Sequence, residues 1–182
     1  MQPSRIIARL AAVVSFATIT LVQSAPSAAS NMTLTIDGIA TPIEVLSFKF
    51  DASNAGSIVS GGGGGAGKVA YSDFLMTASE SAATPLQLLA VSQGNHLRSA
   101  RLQVLSSNGL APVSEWAFDT VVLTSVGVES GAPDPKAKAP NTFLPPQTSF
   151  SLQFGKVCYR VFGRDGKVAQ EMCWNVATNV AS

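Results

Sequence analysis

The sequence contains little histidine and few charged residues, and this scarcity limits the chemistry that it can carry. His96 is the single histidine of the 182 residues, so any catalytic site that needs an imidazole base depends on it. No nucleophile motif accompanies His96, and a histidine just after a helix is more often a cap or a surface residue. The carboxylates at positions 51, 73, 80 and 119 are scattered, without the spacing of an acid–base pair or a metal site. We therefore predict no catalytic, cofactor-binding or metal site, and no enzyme.

Clusters of basic residues are also absent. Charged residues make up 13% of the chain, and nowhere do Lys and Arg gather among aromatic residues. Nucleic-acid binding depends on such a positive surface, so we exclude it. After residue 29 no apolar run reaches the length of about 18 residues that suggests a membrane span, so we expect no membrane contact there.

Residues 1–29 differ in composition from the rest of the chain. Arg5 and Arg9 precede an apolar run from Leu10 to Val22, and small residues follow at positions 27–29. This pattern is typical of a secretory signal peptide, and the alternative is an uncleaved N-terminal anchor. Cleavage would remove two of the 12 basic residues and none of the 11 acidic ones, leaving a net charge of about −1. We expect residues 30–182 to form a single domain that is secreted or periplasmic.

A glycine-rich stretch from Gly61 to Gly67 holds six glycines in seven residues. With Lys68 it fits a phosphate-binding loop except at the last position, where Val69 replaces the hydroxyl residue that would bind Mg²⁺. The residues after Lys68 favour a strand, although a phosphate-binding loop requires a helix there. We interpret the stretch as a loop that enters a strand.

Alternating apolar residues predict about seven strands with turn residues between them. In the second strand we expect Leu46, Phe48 and Phe50 to face the core, and Val45 to face the other way. No strand–helix–strand alternation is present. The fold class is therefore mainly β, an antiparallel barrel or sandwich with one short α-helix.

The predicted helix begins near Thr84 and ends at Gly94. Thr84 is expected to be the N-cap, and Gln87 three residues later would complete a capping box. Gly94 supplies the C-terminal stop. Leu86 and Leu89, with Ala90, are expected to form the inward face.

Several short blocks occur in an order and at spacings that resemble the Hcp family, the tube proteins of bacterial type VI secretion. The resemblance spans about residues 32 to 178. The blocks are IDGI at 36–39, IEVLSFKF at 43–50, the glycine-rich stretch, TPL at 84–86, GNH at 94–96, ARLQV at 100–104, FGKV at 154–157 and CWN at 173–175. The resemblance implies a subunit that assembles into hexameric rings, which stack into a tube and carry small effectors.

In the Hcp family the region that contains the glycine-rich stretch is an extended loop outside the barrel. By resemblance, we assign it to subunit contact; a disordered insertion is the alternative. The assigned contact residues are Ser53, Gly61, Gly62, Gly63, Gly64, Gly65, Gly67 and Lys68. The implied partners are other copies of the chain, and spike, sheath or effector proteins.

The N-terminal leader is a departure from the family, whose tube subunits do not use such a signal. A second interpretation is therefore an exported Hcp-like binding or accessory module in the periplasm or outside the cell. The proline-rich segment 131–146 also departs from the family, and its sequence predicts only an extended, exposed connection.

Cys158 and Cys173 flank a predicted hairpin turn. If Asp165 and Gly166 are the two central turn residues, Arg164 faces Lys167, and Cys158 then faces Cys173 directly. Opposed residues of antiparallel strands lie within disulfide range, and export would favour oxidation. We predict a Cys158–Cys173 disulfide. A three- or four-residue turn would instead shift the register and leave two free thiols.

Overall fold

The computed structural model describes residues 30–54, 68–131, 133–136, 138 and 142–182. The predicted signal peptide lies outside them. The described residues form one helix, α1 (Thr84–Gln93), and ten strands. The strands are β1 (Met32–Ile36), β2 (Ile39–Lys49), β3 (Ala52–Asn54), β4 (Val69–Tyr71), β5 (Phe74–Ser79), β6 (His96–Leu105), β7 (Pro112–Glu129), β8 (Gln147–Phe162), β9 (Val168–Asn175) and β10 (Val180–Ala181).

Six of the strands close into an antiparallel barrel. Their order is β8-β5-β2-β1-β6-β7, and β7 pairs again with β8 to complete the circle. The predicted fold class is therefore confirmed. The remaining strands lie outside the barrel, since β9 and β10 extend the sheet beyond β8, while β3 and β4 form a separate ribbon.

The barrel has two ends that carry different elements. At the ribbon end, β2 leads into β3 and β4 leads back into β5. At the helix end, β5 leads into α1, and α1 leads into β6. Because Ser79 at the end of β5 pairs with Gln147 at the start of β8, the β7–β8 connection also lies at the helix end.

The barrel interior is filled by apolar side chains that alternate along the strands, as expected for strands with one buried face. The largest fully buried side chains include Phe74, Phe118 and Phe150, which come from three different strands. Phe74 and Phe118 pack edge to face with their ring centroids 4.9 Å apart. These contacts connect β5 and β7 across the barrel interior.

One predicted core face is wrong in part, because β2 contains a β-bulge. Val45 is fully buried and Leu46 is exposed, the reverse of the prediction. The register against β5 shifts between Val45 and Ser47, and such a bulge exchanges the two faces of a strand. Beyond the bulge Phe50 packs against the core and Phe48 stacks on Phe74, with 5.3 Å between the ring centroids.

The N-cap of the helix lies one residue earlier than predicted. Ala83 is the N-cap and makes no side-chain cap bond, so the predicted capping box is wrong. The hydroxyl of Thr84 instead contacts the buried hydroxyl of Thr148 at 3.1 Å, which fastens the helix to β8. Gly94 ends the helix in the left-handed conformation at φ 62°, as predicted.

The buried face of α1 also differs from the prediction. Its buried residues are Thr84, Gln87 and Ala90, whereas Leu86 and Leu89 are exposed. The helix lies against β7. Small residues and one amide on the inner side let the helix approach the strands closely, and the leucines are left facing outward.

Candidate assembly surfaces

The ribbon is the first candidate contact surface, and its two strands are in register. Ala52 pairs with Tyr71 and Asn54 pairs with Val69, so residues 55–67 connect the outer ends of the ribbon. Of the predicted contact residues, Ser53 lies in β3 and Lys68 directly precedes β4. Gly61, Gly62, Gly63, Gly64, Gly65 and Gly67 lie outside the described residues. Lys68 leads into a strand and not into a helix, so the helix N-terminus of a phosphate-binding loop is missing.

Aromatic side chains fix the base of the ribbon to the barrel. The rings of Phe50 and Tyr71 stack in parallel with centroids 5.6 Å apart. Phe50 also meets Trp116 edge-on at 5.3 Å, and it lies 5.8 Å from Phe154. Burial in this cluster raises the pKa of the Tyr71 hydroxyl above its usual value.

Backbone bonds reinforce the same junction. The amide of Ser72 donates to the carbonyl of Asp51 at 2.9 Å, and the amide of Asp51 donates to the Ser72 hydroxyl at 3.0 Å. Together with the aromatic stack, these bonds set the direction in which the ribbon leaves the barrel.

The outer edge of β9 is a second candidate surface. On that side, within the described residues, β9 pairs with β10 only through Trp174 and Asn175. The preceding residues, 168–172, are all exposed. An exposed edge offers unpaired backbone donors and acceptors to another chain. Within the described residues, no strand pairs with this outer edge at residues 168–172.

A disulfide and an ionic network hold β9 on β8. Cys158 and Cys173 are opposite residues with Cα atoms 4.1 Å apart, and their sulfurs are joined by a bond of 2.03 Å. Two strand positions away, Arg160 bonds Glu171 at 2.6 Å and Glu115 at 3.0 Å. The hydrogen bond to Glu171 has the largest effect, followed by that to Glu115, and both raise the pKa of the Arg160 guanidinium above its usual value. The network fixes the strand that carries the open edge.

The hairpin that brings the cysteines together does not have the predicted turn. The amide of Gly163 donates to the carbonyl of Lys167 at 2.8 Å, so three residues form the turn and Arg164 does not face Lys167. A bulge follows, since Phe162 pairs with Val168 but Val161 pairs with Gln170. The bulge restores the register that the longer turn would have shifted.

The helix end carries a third candidate surface, which is apolar. Leu86, Leu88 and Leu89 are exposed on α1. At the same end, the β7–β8 connection exposes Phe143 and Leu144 and is held by a bridge between Pro133 and Phe143. The sequence pattern missed this surface, because it assigned two of the helix leucines to the core.

His96 occupies an ordinary strand position. It is exposed at the start of β6, opposite Val122. It borders an open depression of about 500 Å³, in which Asp37 is paired with Arg98 at 3.4 Å. Within the described part of the chain, no hydrogen bond or ion pair joins the His96 imidazole to a carboxylate.

One group of side chains has the composition of a metal site, but its ligand atoms are already bound. The sulfurs of Cys158 and Cys173 and a carboxylate oxygen of Glu171 lie within 4.8 Å of one another. The sulfurs are bonded to each other, and the carboxylate accepts from Arg160.

Within the described residues, no helix is long and apolar enough to cross a membrane.

The sequence model of the family described as Type VI secretion system effector, Hcp, matches residues 33–160, which is more than half of the chain. The chain belongs to the Hcp family. The match includes the whole six-stranded barrel except its first residue and the last two residues of β8. Cys173 lies beyond the matched residues. A comparison with curated proteins finds no match.

Solved structures of Hcp proteins share the fold. A crystal structure of Hcp1 from Salmonella typhimurium is 19% identical and superposes with a TM-score of 0.65, covering 83% of this chain and 97% of the other. A type VI secretion system effector from Yersinia pestis is 19% identical with a TM-score of 0.59, covering 80% of this chain and 99% of the other. At these identities the likeness concerns the fold.

Proposed function

We propose that this Hcp-family chain is a structural subunit that assembles into a ring, most simply a hexamer, and that the rings stack into a secretion tube. The observation that carries the proposal is the closed barrel with an open edge at β9 and a ribbon fixed outside it. Closed homo-oligomers satisfy such edges by pairing them with identical neighbours. The structural role fits a family of tube proteins, and we propose no enzymatic activity.

The partners under this proposal are copies of the same chain. The sheath, the spike and the small effectors of the secretion machine would contact the assembled tube. Residues 53–68 would serve as the subunit-contact segment, as the family resemblance implies. With the leader removed, the protein would act in the periplasm or outside the cell.

Native mass spectrometry of residues 30–182 tests the ring. We expect a closed oligomer, with six copies as the main species. A Met172→Lys variant places a charge on the exposed β9 edge and is expected to shift the population towards monomer, whereas Met172→Leu is the matched control. A monomer that persists at tens of micromolar in the unmodified protein would contradict the proposal.

A second function, an exported Hcp-like binding or accessory module, is favoured by one observation, the basic and apolar leader of residues 1–29. The intact mass of the protein recovered from the periplasm or the medium tests export. Cleavage before Ser30 together with a monomeric state would support the module, and an oligomeric ring would support the tube subunit.

A further inference from the structure

Three side chains with the ligand atoms of a metal site lie on one face of the β8–β9 hairpin. Cys158 and Cys173 are opposite residues, so their side chains lie on the same face of the two strands. Glu171 precedes Cys173 by two positions in β9 and therefore shares that face. The two sulfurs and a carboxylate oxygen of Glu171 lie within 4.8 Å of one another. Thiolate sulfur and carboxylate oxygen are both ligands that Zn²⁺ takes in proteins.

The separations of these atoms fit a tetrahedral ion. Zn²⁺ lies about 2.3 Å from a thiolate sulfur and about 2.1 Å from a carboxylate oxygen, so the two ligand atoms are about 3.6 Å apart. The sulfur of Cys173 lies 3.6 Å from Oε1 of Glu171. Two thiolates on one Zn²⁺ are about 3.8 Å apart, which is also the usual distance between the Cβ atoms of bonded cysteines. Cysteine side chains that point in the same direction therefore reach this separation while β8 and β9 stay paired.

The neighbouring charges suit a cation that is held by thiolates. Two thiolates and one carboxylate around Zn²⁺ leave one net negative charge, and the guanidinium of Arg160, which bonds Glu171 at 2.6 Å, offsets it. A carboxylate has two oxygens, so Glu171 can bind the ion through one oxygen and accept from Arg160 through the other. Such a hydrogen bond orients a ligating carboxylate. Arg160 is itself fixed by Glu115 at 3.0 Å.

The three side chains are also accessible from solvent. The Glu171 side chain is 42% exposed and Cys173 is half-buried, so a dithiol reductant can approach the bond on the β9 side. Reduction takes two electrons and two protons from the dithiol, which leaves as its own disulfide, and gives two thiols. Zn²⁺ then replaces the two thiol protons, which pass to solvent, as two Zn–S bonds and one Zn–O bond form.

We propose that the reduced protein binds one Zn²⁺ ion through Cys158, Cys173 and Glu171. The disulfide and the metal are then alternative links between β8 and β9, the first in oxidising and the second in reducing surroundings. Three protein ligands leave the fourth position of a tetrahedral ion for water. The site departs from the sequence prediction of no metal site, because that prediction rested on the carboxylate spacing and on a closed disulfide. It requires neither the ring nor the tube.

Co²⁺ titration of the reduced protein tests the site, because Co²⁺ replaces Zn²⁺ and absorbs light where Zn²⁺ does not. The protein is reduced with a phosphine and freed of metal and reductant under anaerobic conditions. We expect one Co²⁺ per chain, with a thiolate-to-metal charge-transfer band and the strong visible bands of a tetrahedral ion. One equivalent of Zn²⁺ should abolish these bands. The oxidised protein has the same sequence and is the matched control, in which no such band is expected.

Substitutions assign the ligands. Cys158→Ser combined with Cys173→Ser should remove the charge-transfer band. Glu171→Gln should raise the Zn²⁺ concentration needed for half-saturation by at least about tenfold, because the amide lacks the negative charge of the carboxylate. Glu80→Gln removes an exposed carboxylate just after β5 and should leave the Zn²⁺ affinity unchanged.

The thermal stability of the unmodified protein gives a second measurement that needs no substitution. An ion that binds only the folded protein stabilises it, so Zn²⁺ should raise the Tm of the reduced protein and leave that of the oxidised protein unchanged.

Three results would overturn the inference. The first is the absence of a charge-transfer band in the reduced protein at a large excess of Co²⁺. The second is saturation at half an equivalent of Co²⁺, which would mean that the ion joins two molecules. The third is equal Zn²⁺ affinity in Glu171→Gln and in the unmodified protein, which would remove Glu171 from the site.

Discussion

Removal of the Cys158–Cys173 bond should lower the stability of residues 30–182 by a calculable amount. The two residues are 15 apart in sequence. In the chain-entropy treatment, a cross-link that closes a loop of this length lowers the entropy of the unfolded chain and contributes about 3 kcal/mol to the free energy of unfolding. We expect the double variant Cys158→Ser, Cys173→Ser to lose most of this amount. For a domain of this size the loss corresponds to roughly 6–12 °C in Tm.

Urea unfolding followed by tryptophan fluorescence measures the effect. Trp174 is adjacent to Cys173 and, like Trp116, packs against the core, so the emission changes when the barrel and β9 unfold. Cys158 is buried, so a serine hydroxyl there could add its own cost. The variant Cys158→Ala, Cys173→Ala separates that cost from the loss of the bond. Unmodified protein in a reducing agent is the matched control, and its midpoint should fall with those of the variants.

The reasoning would be refuted if the free energy of unfolding fell by less than about 1 kcal/mol in both double variants. Thiol titration of protein purified without a reducing agent, under denaturing conditions, provides an independent check. Two free thiols per chain would show that the bond does not form in the protein.

Two further predictions concern the ends of the barrel. A Cβ added at Gly131 would lie 1.5 Å from the carbonyl oxygen of Leu144, so Gly131→Ala should lower the free energy of unfolding by about 1–3 kcal/mol. Trypsin should also cleave after Lys136 and Lys138 faster in this variant than in the control Ser130→Ala. Burial raises the pKa of Tyr71 in the folded state, so the stability that its neutral form contributes is fully present below its ordinary pKa of 10.0 and is lost as the pH rises through the folded pKa. Urea midpoints should therefore fall less above pH 10.0 in Tyr71→Phe than in the unmodified protein, and equal slopes would contradict this.

The fold class could be predicted from the sequence because strand alternation is a local signal. The exceptions occur where the backbone departs from regular geometry. In β2 the bulge between Val45 and Ser47 exchanges the faces, so that Val45 is buried and Leu46 is exposed. A bulge inserts one residue without a distinctive composition, and a period-two pattern therefore continues through it undetected.

In the β8–β9 hairpin the predicted pairing of Cys158 with Cys173 is correct, although the turn from which it was predicted is not. The Asp165–Gly166 signal indicated a hairpin, but the turn has three residues and is closed between Gly163 and Lys167. That change alone would have displaced Cys173 by one position. The bulge beyond Phe162 compensates for it, so Cys158 and Cys173 are opposed. The sequence does not show where the three-residue turn and the bulge occur, although it does indicate that Cys158 and Cys173 are opposed.

The error on α1 has a different physical origin. The apolar pattern at Leu86 and Leu89 was interpreted as a core-facing stripe, although the helix turns Gln87 and Ala90 towards the barrel. A hydrophobic pattern records burial in the final assembly, and it does not distinguish burial within one chain from burial between chains. The apolar pattern of α1 therefore could not predict which of its residues pack on the barrel.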